Sequence, residues 1–304
     1  MQADGSVKYD EEYILNPQGQ RLFTCRWLPV EREPKALVFL CHGYALESST
    51  CMKGAGTRLA TAGYAAYSMD YKGHGKSCGL LGYIDSFDDI VTDYLHYVTS
   101  IVDKSENKGR KKFLLGESAG GALALLIHGR QSEYWDGAIL AAPMCKIAEE
   151  VTPNAMVVWV IKMLANIIPT WGIVPIPQDL VEASFRDPRI RENPNCYKGR
   201  PRLKTALELV RAGLEVEQGL PQVSLPFLVV HGGGDIVTDI SASKMLFEIA
   251  GSTDKSLKMY PGMWHSLIYG EMPENLDIVF ADIIAWLDER TAPIIPASLE
   301  VEIS

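Results

Sequence analysis

A serine stands between glycines in Gly116-Glu117-Ser118-Ala119-Gly120, with a further glycine at 121. Phe113 to Leu115, just before it, is a short apolar run that reads as a buried strand. Ala122 to Ile127, just after it, reads as a buried helix. A G-x-S-x-G pattern between strand and helix constrains this chain more than anything else in it. The serine must occupy a turn so tight that its own backbone is strained, and its hydroxyl is then presented at the carboxyl edge of a sheet. Strand and helix pass so closely there that glycine is needed at 116 and 120.

The flanking sequence supplies such a sheet. Tyr9 to Leu15 and Leu22 to Leu28, joined by Asn16-Pro17-Gln18-Gly19-Gln20, read as an antiparallel hairpin. Ala36 to Leu40 is an apolar strand that ends in Cys41-His42-Gly43-Tyr44. A helix closing at Leu59 to Ala62 and capped by Gly63 leads into the strand Tyr64 to Met69. Asp85 to Ile101 carries Ile90, Val91, Tyr94, Leu95, Val98 and Ile101 at helical spacing. Gly137 to Ala142 is the next strand. This alternation is the signature of a parallel sheet with helices on both faces, an α/β class.

The rhythm stops after Met144 and returns at Phe227 to Val230. It continues with a helix near Ser241 to Ala250, the strand Leu257 to Tyr260 and the helix Leu276 to Arg290. Residues 1–144 and 223–290 are therefore read as one core. Residues 145–222 are read as a helical cap inserted into it, and 291–304 as a loosely held tail. Inside the cap, Ala155 to Ile168 is almost wholly apolar, yet too short to span a bilayer. It is expected either to bury against the rest of the cap or to meet amphiphilic substrate and a membrane surface transiently.

The chemistry of the turn asks for partners. A serine hydroxyl is a weak nucleophile that needs a base, and the base needs an orienting acid. In this architecture the acid and then the histidine follow the serine along the chain. Of the six histidines, only 231 and 265 come late enough to belong to later strands. His265 lies in a loop just past the last strand, at the edge where ligands bind in such sheets. His231 ends its own strand and is assigned a structural hydrogen bond. Asp235 follows that strand by three glycines and is the candidate acid; Asp239, four residues on, reads as a helix cap. The negative oxygen formed during acyl transfer needs two backbone N–H donors. Ala119 and Tyr44 are the candidates. Ala45, Glu117 and Trp159 are expected to touch substrate.

Composition excludes other classes. A formal charge of −9 offers no basic face for phosphates, so no nucleic-acid partner is expected. The opening residues lack a basic and apolar leader pattern. The six cysteines show neither C-x-x-C nor zinc spacing, and no N-x-[ST] acceptor occurs. Free thiols in a reducing, cytoplasmic setting are the expectation. Gly73-His74-Gly75-Lys76-Ser77 ends like a phosphate-binding loop, but position 70 is Asp where a Gly is required. No metal and no cofactor is assigned.

Several stretches together resemble the plant monoacylglycerol lipase family, which includes caffeoylshikimate esterase-like enzymes. They are His42-Gly43-Tyr44, Asp70 to Ser77, Gly116 to Gly121, His231-Gly232 with Asp235, and Pro261-Gly262-Met263-Trp264-His265. Ala142 to Ile147, Pro201 to Ala206 and Phe280 to Leu287 are similar too. The resemblance covers nearly the whole chain. It implies an α/β-hydrolase fold with a helical cap, Ser118, Asp235 and His265 as triad, and Tyr44 and Ala119 as oxyanion donors. Three positions depart from the family pattern: Ala119 replaces the usual Met, Ala45 the usual Gly, and Gly233-Gly234 the usual Glu-Ala. None removes a catalytic group, but each reshapes the surroundings of the reacting carbonyl.

The expected partner is a small-molecule ester, a monoester of a polyol-like alcohol such as a monoacylglycerol or a hydroxycinnamoyl ester. Acyl transfer to an alcohol uses the same triad. A weakly catalytic small-molecule receptor on the same fold is the reading from another class. Monomer and homodimer both stay open, as does a peripheral membrane location.

Overall fold

The computed structural model describes residues 5–146 and 162–292. Eight strands form one sheet: β1 (Val7–Leu15), β2 (Arg21–Pro29), β3 (Leu37–Cys41), β4 (Ala65–Met69), β5 (Lys112–Glu117), β6 (Gly137–Ala141), β7 (Phe227–Gly232) and β8 (Lys255–Tyr260). Their spatial order is β1-β2-β4-β3-β5-β6-β7-β8. The β1–β2 hairpin joins the edge antiparallel, and β4, β3, β5, β6, β7 and β8 run parallel.

The central strands are apolar along their whole length because both faces are covered. Leu37, Phe39, Cys41 and Leu114 point into one core layer; Val38, Leu40, Phe113 and Leu115 point into the other. The first layer is roofed by α2 (Phe87–Val102), α3 (Ala119–Arg130), α6 (Leu203–Gly219) and α7 (Ile240–Ile249). The second is roofed by α1 (Lys53–Thr61) and α8 (Pro273–Thr291). Helix α2 starts where Ser86 accepts the Asp89 N–H, with Asp88 and Asp89 in its first turn, both favoured at a helix N-terminus.

Between β6 and β7 the described residues are helical and irregular only. They hold α4 (Gln178–Ala183), α5 (Arg189–Glu192) and α6, and residues 162–167 are helical. This is the α/β-hydrolase fold with an inserted helical region. The first half of the apolar stretch Ala155 to Ile168, residues 155–161 with Trp159, lies outside the described residues. Its described end exposes Met163, Leu164 and Ile167.

The register brings the strand ends together. Cys41 pairs with Gly116, Glu117 with Ala141, Ala141 with Val230, and Gly232 with Tyr260. The residues that follow each strand therefore meet along one edge: His42 to Tyr44, Ser118, Ala142, Gly233 to Asp235, and Pro261 to His265.

Candidate active site

Ser118 sits at φ 57°, ψ −120°, a conformation L residues seldom adopt. Its surroundings force it there. A Cβ on Gly120 would lie 2.0 Å from the Cys41 carbonyl oxygen, and one on Gly116 would lie 2.2 Å from the Gly120 carbonyl oxygen. Strand and helix touch backbone to backbone, so glycine at both positions is a packing requirement. The Ser118 N–H donates to the Ala141 oxygen at 3.0 Å, and the Ser118 carbonyl accepts from Gly121 at 2.9 Å and Met144 at 3.0 Å. The turn is thus held from β6 as well as from α3. Ala119 opens α3, so its N–H has no acceptor within the helix.

His265 Nδ1 lies 2.8 Å from Asp235 Oδ2. Asp235 is fixed from several directions. Its Oδ1 accepts the Val237 N–H at 2.7 Å and the Thr238 N–H at 3.1 Å, and its Oδ2 accepts the Thr238 hydroxyl at 2.7 Å. His231 Nε2 stands 3.1 Å from the same Oδ2, off the line of a straight hydrogen bond, while its Nδ1 meets Ser243 Oγ at 2.7 Å. Burial works against the Asp235 charge, but the close His231 ring and the hydrogen bonds from His265 and Thr238 override it. They hold the carboxyl well below the usual range. Burial likewise pushes His265 down, yet the hydrogen bond and charge of Asp235, with a smaller push from Glu117, leave it raised above its ordinary value.

Ser118 and His265 line one cavity of about 450 Å³. Gly43, Tyr44, Ala45 and Leu46 form one wall, and Ile176, Leu180, Val181 and Phe185 from the inserted segment form another. Arg191 and Lys198 reach it from the solvent side. The His42 ring props the Tyr44 loop. Its Nδ1 lies 2.8 Å from the Gly43 oxygen, its ring stacks on Tyr71 at 3.8 Å, and burial drives its pKa down to about 4. Ala45, the next residue, has φ 67°.

Ser118, His265, Tyr44 and Ala45 share that cavity, and Asp235 stands directly behind His265. Glu117 departs from expectation. It is fully buried and absent from the cavity lining, because the turn that presents Ser118 sends the side chain before it to the opposite side, onto the Ile268 N–H at 2.9 Å. It does not touch substrate. Asp239 caps α7 by accepting the Ser241 N–H at 2.7 Å. The stretch that resembles a phosphate loop wraps a carboxylate instead: Asp70 Oδ2 accepts the Lys76 N–H at 2.8 Å and lies 2.0 Å from where a Gly75 Cβ would be. Sequence reasoning missed that His231 and Thr238 contact Asp235. The His-to-Asp spacing of four was visible, but three intervening glycines give no geometry. Among the described residues no group of three or more metal-ligating side chains occurs.

A family model described as serine aminopeptidase, S33, matches residues 32–272. Caffeoylshikimate esterase of Arabidopsis thaliana is 34% identical over 93% of this chain and 86% of its own length. Human monoglyceride lipase is 31% identical over 94% of this chain and 93% of its own. A soluble variant of the Saccharomyces cerevisiae monoglyceride lipase superposes with a TM-score of 0.79 at 22% identity, covering 94% of this chain and 96% of that one, a likeness of fold. The chain therefore belongs to the α/β-hydrolase family of caffeoylshikimate esterase and the monoacylglycerol lipases, and it is an ester-hydrolysing serine enzyme.

Proposed function

We propose that Ser118, His265 and Asp235 are the triad of this hydrolase and that its substrates are monoesters of small polyol-like alcohols. The observation that carries the reading is the 2.8 Å contact between His265 Nδ1 and Asp235, which leaves Nε2 for the serine that shares the cavity. Ser118 Oγ attacks the ester carbonyl carbon as His265 Nε2 takes its proton. The Tyr44 and Ala119 N–H groups hold the negative oxygen. On collapse the alcohol leaves with the proton from His265. Water, deprotonated by the same nitrogen, then releases the acid. Asp235 stays ionised throughout and stabilises the imidazolium.

The walls suggest the substrate. Ile176, Leu180, Val181 and Phe185 suit an apolar acyl group, straight or aromatic. Among the described lining residues there is no carboxylate, and Arg191 and Lys198 hydrogen-bond only carbonyl oxygens, of Glu182, Phe185 and Glu192. Two cations without acidic partners favour an alcohol that itself carries a carboxylate, as in the shikimate ester for which the Arabidopsis relative is named.

Fluorophosphonate labelling and turnover of caffeoyl shikimate and oleoylglycerol in competition test the reading. Both labelling and turnover should vanish in Ser118→Ala while the thermal midpoint holds. Labelling at full stoichiometry in that variant would remove Ser118 from its role. The wild type should favour the shikimate ester, and Arg191→Gln with Lys198→Gln should erase that preference. An added acceptor alcohol that yields a new ester would make the enzyme an acyltransferase.

A further inference from the structure

Glu117 is a buried carboxylate that the steps above do not use. It is the last residue of β5, next to the nucleophile, and has no exposed surface. Its Oε2 accepts the Ile268 N–H at 2.9 Å. The hydroxyls of Tyr269 and Ser266 face the same carboxylate, and its Oε1 has no well-formed partner among the described residues. All three neighbours belong to the loop that carries His265. Tyr269 reaches further: its hydroxyl lies 3.2 Å from where a Gly43 Cβ would be, against the loop that ends in Tyr44. One side chain thus sits where the elbow, the histidine loop and the Tyr44 loop converge.

A carboxylate is costly to bury without a partner charge. The strongest charge acting on Glu117 is that of His265. That charge is present only when the imidazole is protonated, which is its state after taking the serine proton.

We propose that Glu117 is a positioning residue for His265. It ties the 265–269 loop to the elbow and, when ionised, adds a second negative charge that stabilises the imidazolium. The inference rests on the triad reading above. Two carboxylates then act on one ring. Asp235 bonds Nδ1 directly and sets the tautomer, and Glu117 acts through space and through the Ile268 amide. The two also differ in when they are charged. Asp235 is ionised at every working pH. Burial lifts Glu117 to about 7, against the pull of His265 and its hydrogen bonds, so it gains its charge near neutral pH.

The sign of the effect follows. A negative neighbour favours the protonated imidazole, so ionised Glu117 raises the His265 pKa. The groups facing His265 are Asp235 and Thr238 from the loop after β7 and Glu117 from β5. Those facing Glu117 are His265, Ser266 and Tyr269 from the loop after β8. His231 acts on His265 only through Asp235. Neutralising Glu117 should move the acid limb of the kcat/KM profile to lower pH.

The test is Glu117→Gln, which keeps the acceptor for Ile268 and removes the charge. With a soluble short-chain ester, the acid limb should shift down by about half to one pH unit. On the plateau kcat should fall about three- to tenfold with KM nearly unchanged, because the lost interaction belongs to the transition state. Glu117→Asp, which keeps the charge, should leave the limb near its wild-type place. An unmoved limb in the Gln variant, with or without lost stability, overturns the proposal, and so does an equal shift in both variants. Should the Gln variant fail to fold, the wild type decides. The low-field Nδ1 proton of His265 should then titrate in two steps, one near 7, and a single step overturns the proposal. Fluorophosphonate labelling that depends on Ser118 in every variant separates failure here from failure of the triad reading.

Discussion

Strand β5, whose end carries the Ser118 turn into the cavity, and helix α4, which lines it with Leu180 and Val181, are built differently. From Phe113 to Glu117, β5 is fully buried, flanked on both sides by parallel strands and covered on both faces. Helix α4 is six residues long and buries none of them fully. Near it the inserted segment exposes Ile167 at 72% and Trp171 at 57%, and also Ile173, Ile176 and Val181. The proposed acyl-transfer groups hang from the rigid part, where neighbours fix each atom. The wall proposed to meet the acyl group comes from the looser part, where side chains can change without disturbing the sheet. Reaction and selectivity are thereby separated in space.

The inserted segment is not uniform. Helix α6 is anchored as the core is. Thr205 Oγ1 accepts the Ile84 N–H at 2.9 Å, and Glu208 Oε2 accepts the Phe87 N–H at 3.0 Å, at the first turn of α2. Further out, residues 193–197 are pinned to the Tyr44 loop. Asn193 Nδ2 donates to Glu47 at 2.8 Å, the Tyr197 N–H donates to the Ala45 oxygen at 2.9 Å, and Cys51 Sγ lies 3.6 Å from Cys196 Sγ. Between that seam and residue 162 the polar ties to the core gather at Arg186, which bonds Glu271 and the Gly262 oxygen, and at Asp187, whose N–H donates to the Gly270 oxygen at 2.8 Å.

The largest expected effect is on the core side. Asp235→Asn keeps the shape of the carboxylate but swaps an acceptor for a donor, so the imidazole turns to the wrong tautomer. Turnover should drop about 10⁴-fold at an unchanged KM. Asp239→Ala, four residues away, removes only the cap of α7. It should cost about 1 kcal/mol in a denaturant titration and leave kcat alone. Similar losses of turnover in the two variants, at equal folded fraction, would show that the acid is misassigned.

On the outer segment the expected effect is smaller and of another kind. Exposed apolar side chains along this segment, Met163, Leu164, Ile167, Trp171 and Ile173, suit a lipid surface or an amphiphilic substrate aggregate. Trp171→Glu should reduce co-sedimentation with anionic vesicles several-fold and raise KM for oleoylglycerol. It should leave kcat/KM for a soluble ester and the thermal midpoint as they were. Vesicle binding equal to wild type would mean that this face has another use.

The same contrast explains what could be read from the chain. The sheet was legible because buried strands and covering helices impose short periods, and each connection is brief. The Ser118 turn was legible because only glycine can stand at 116 and 120. Glu117 was not, because the motif specifies a backbone and says nothing about which way its second residue points. The outer segment resisted because an apolar run such as Ala155 to Ile168 has the same composition whether it is buried or exposed. Ala45 is visible as a departure from the family pattern, an Ala where a Gly is usual. Its left-handed φ of 67° depends on a loop conformation that no local pattern announces.

Ala45 stands at the seam between the two regions and carries the smallest predicted effect. A non-glycine residue at positive φ costs about 1–2 kcal/mol, because its Cβ crowds the backbone. Glycine at the same position returns that strain but gives the unfolded chain about 0.5–1 kcal/mol more freedom to lose. Ala45→Gly should therefore stabilise the protein by about 0.5–1 kcal/mol, a rise of about 1–4 °C in Tm. Activity should move the other way. The Ala45 carbonyl receives the Tyr197 N–H, and its backbone follows directly on Tyr44, the proposed oxyanion donor. A residue confined to one conformation holds that N–H better than glycine, so kcat should fall about two- to fivefold while KM for small esters stays put. Opposite signs for stability and kcat would mark Ala45 as strain kept for positioning. A gain in both would mean that the methyl contributes nothing to the site. A loss in both would mean that the Ala45 side chain packs into the wall closely enough to outweigh its backbone.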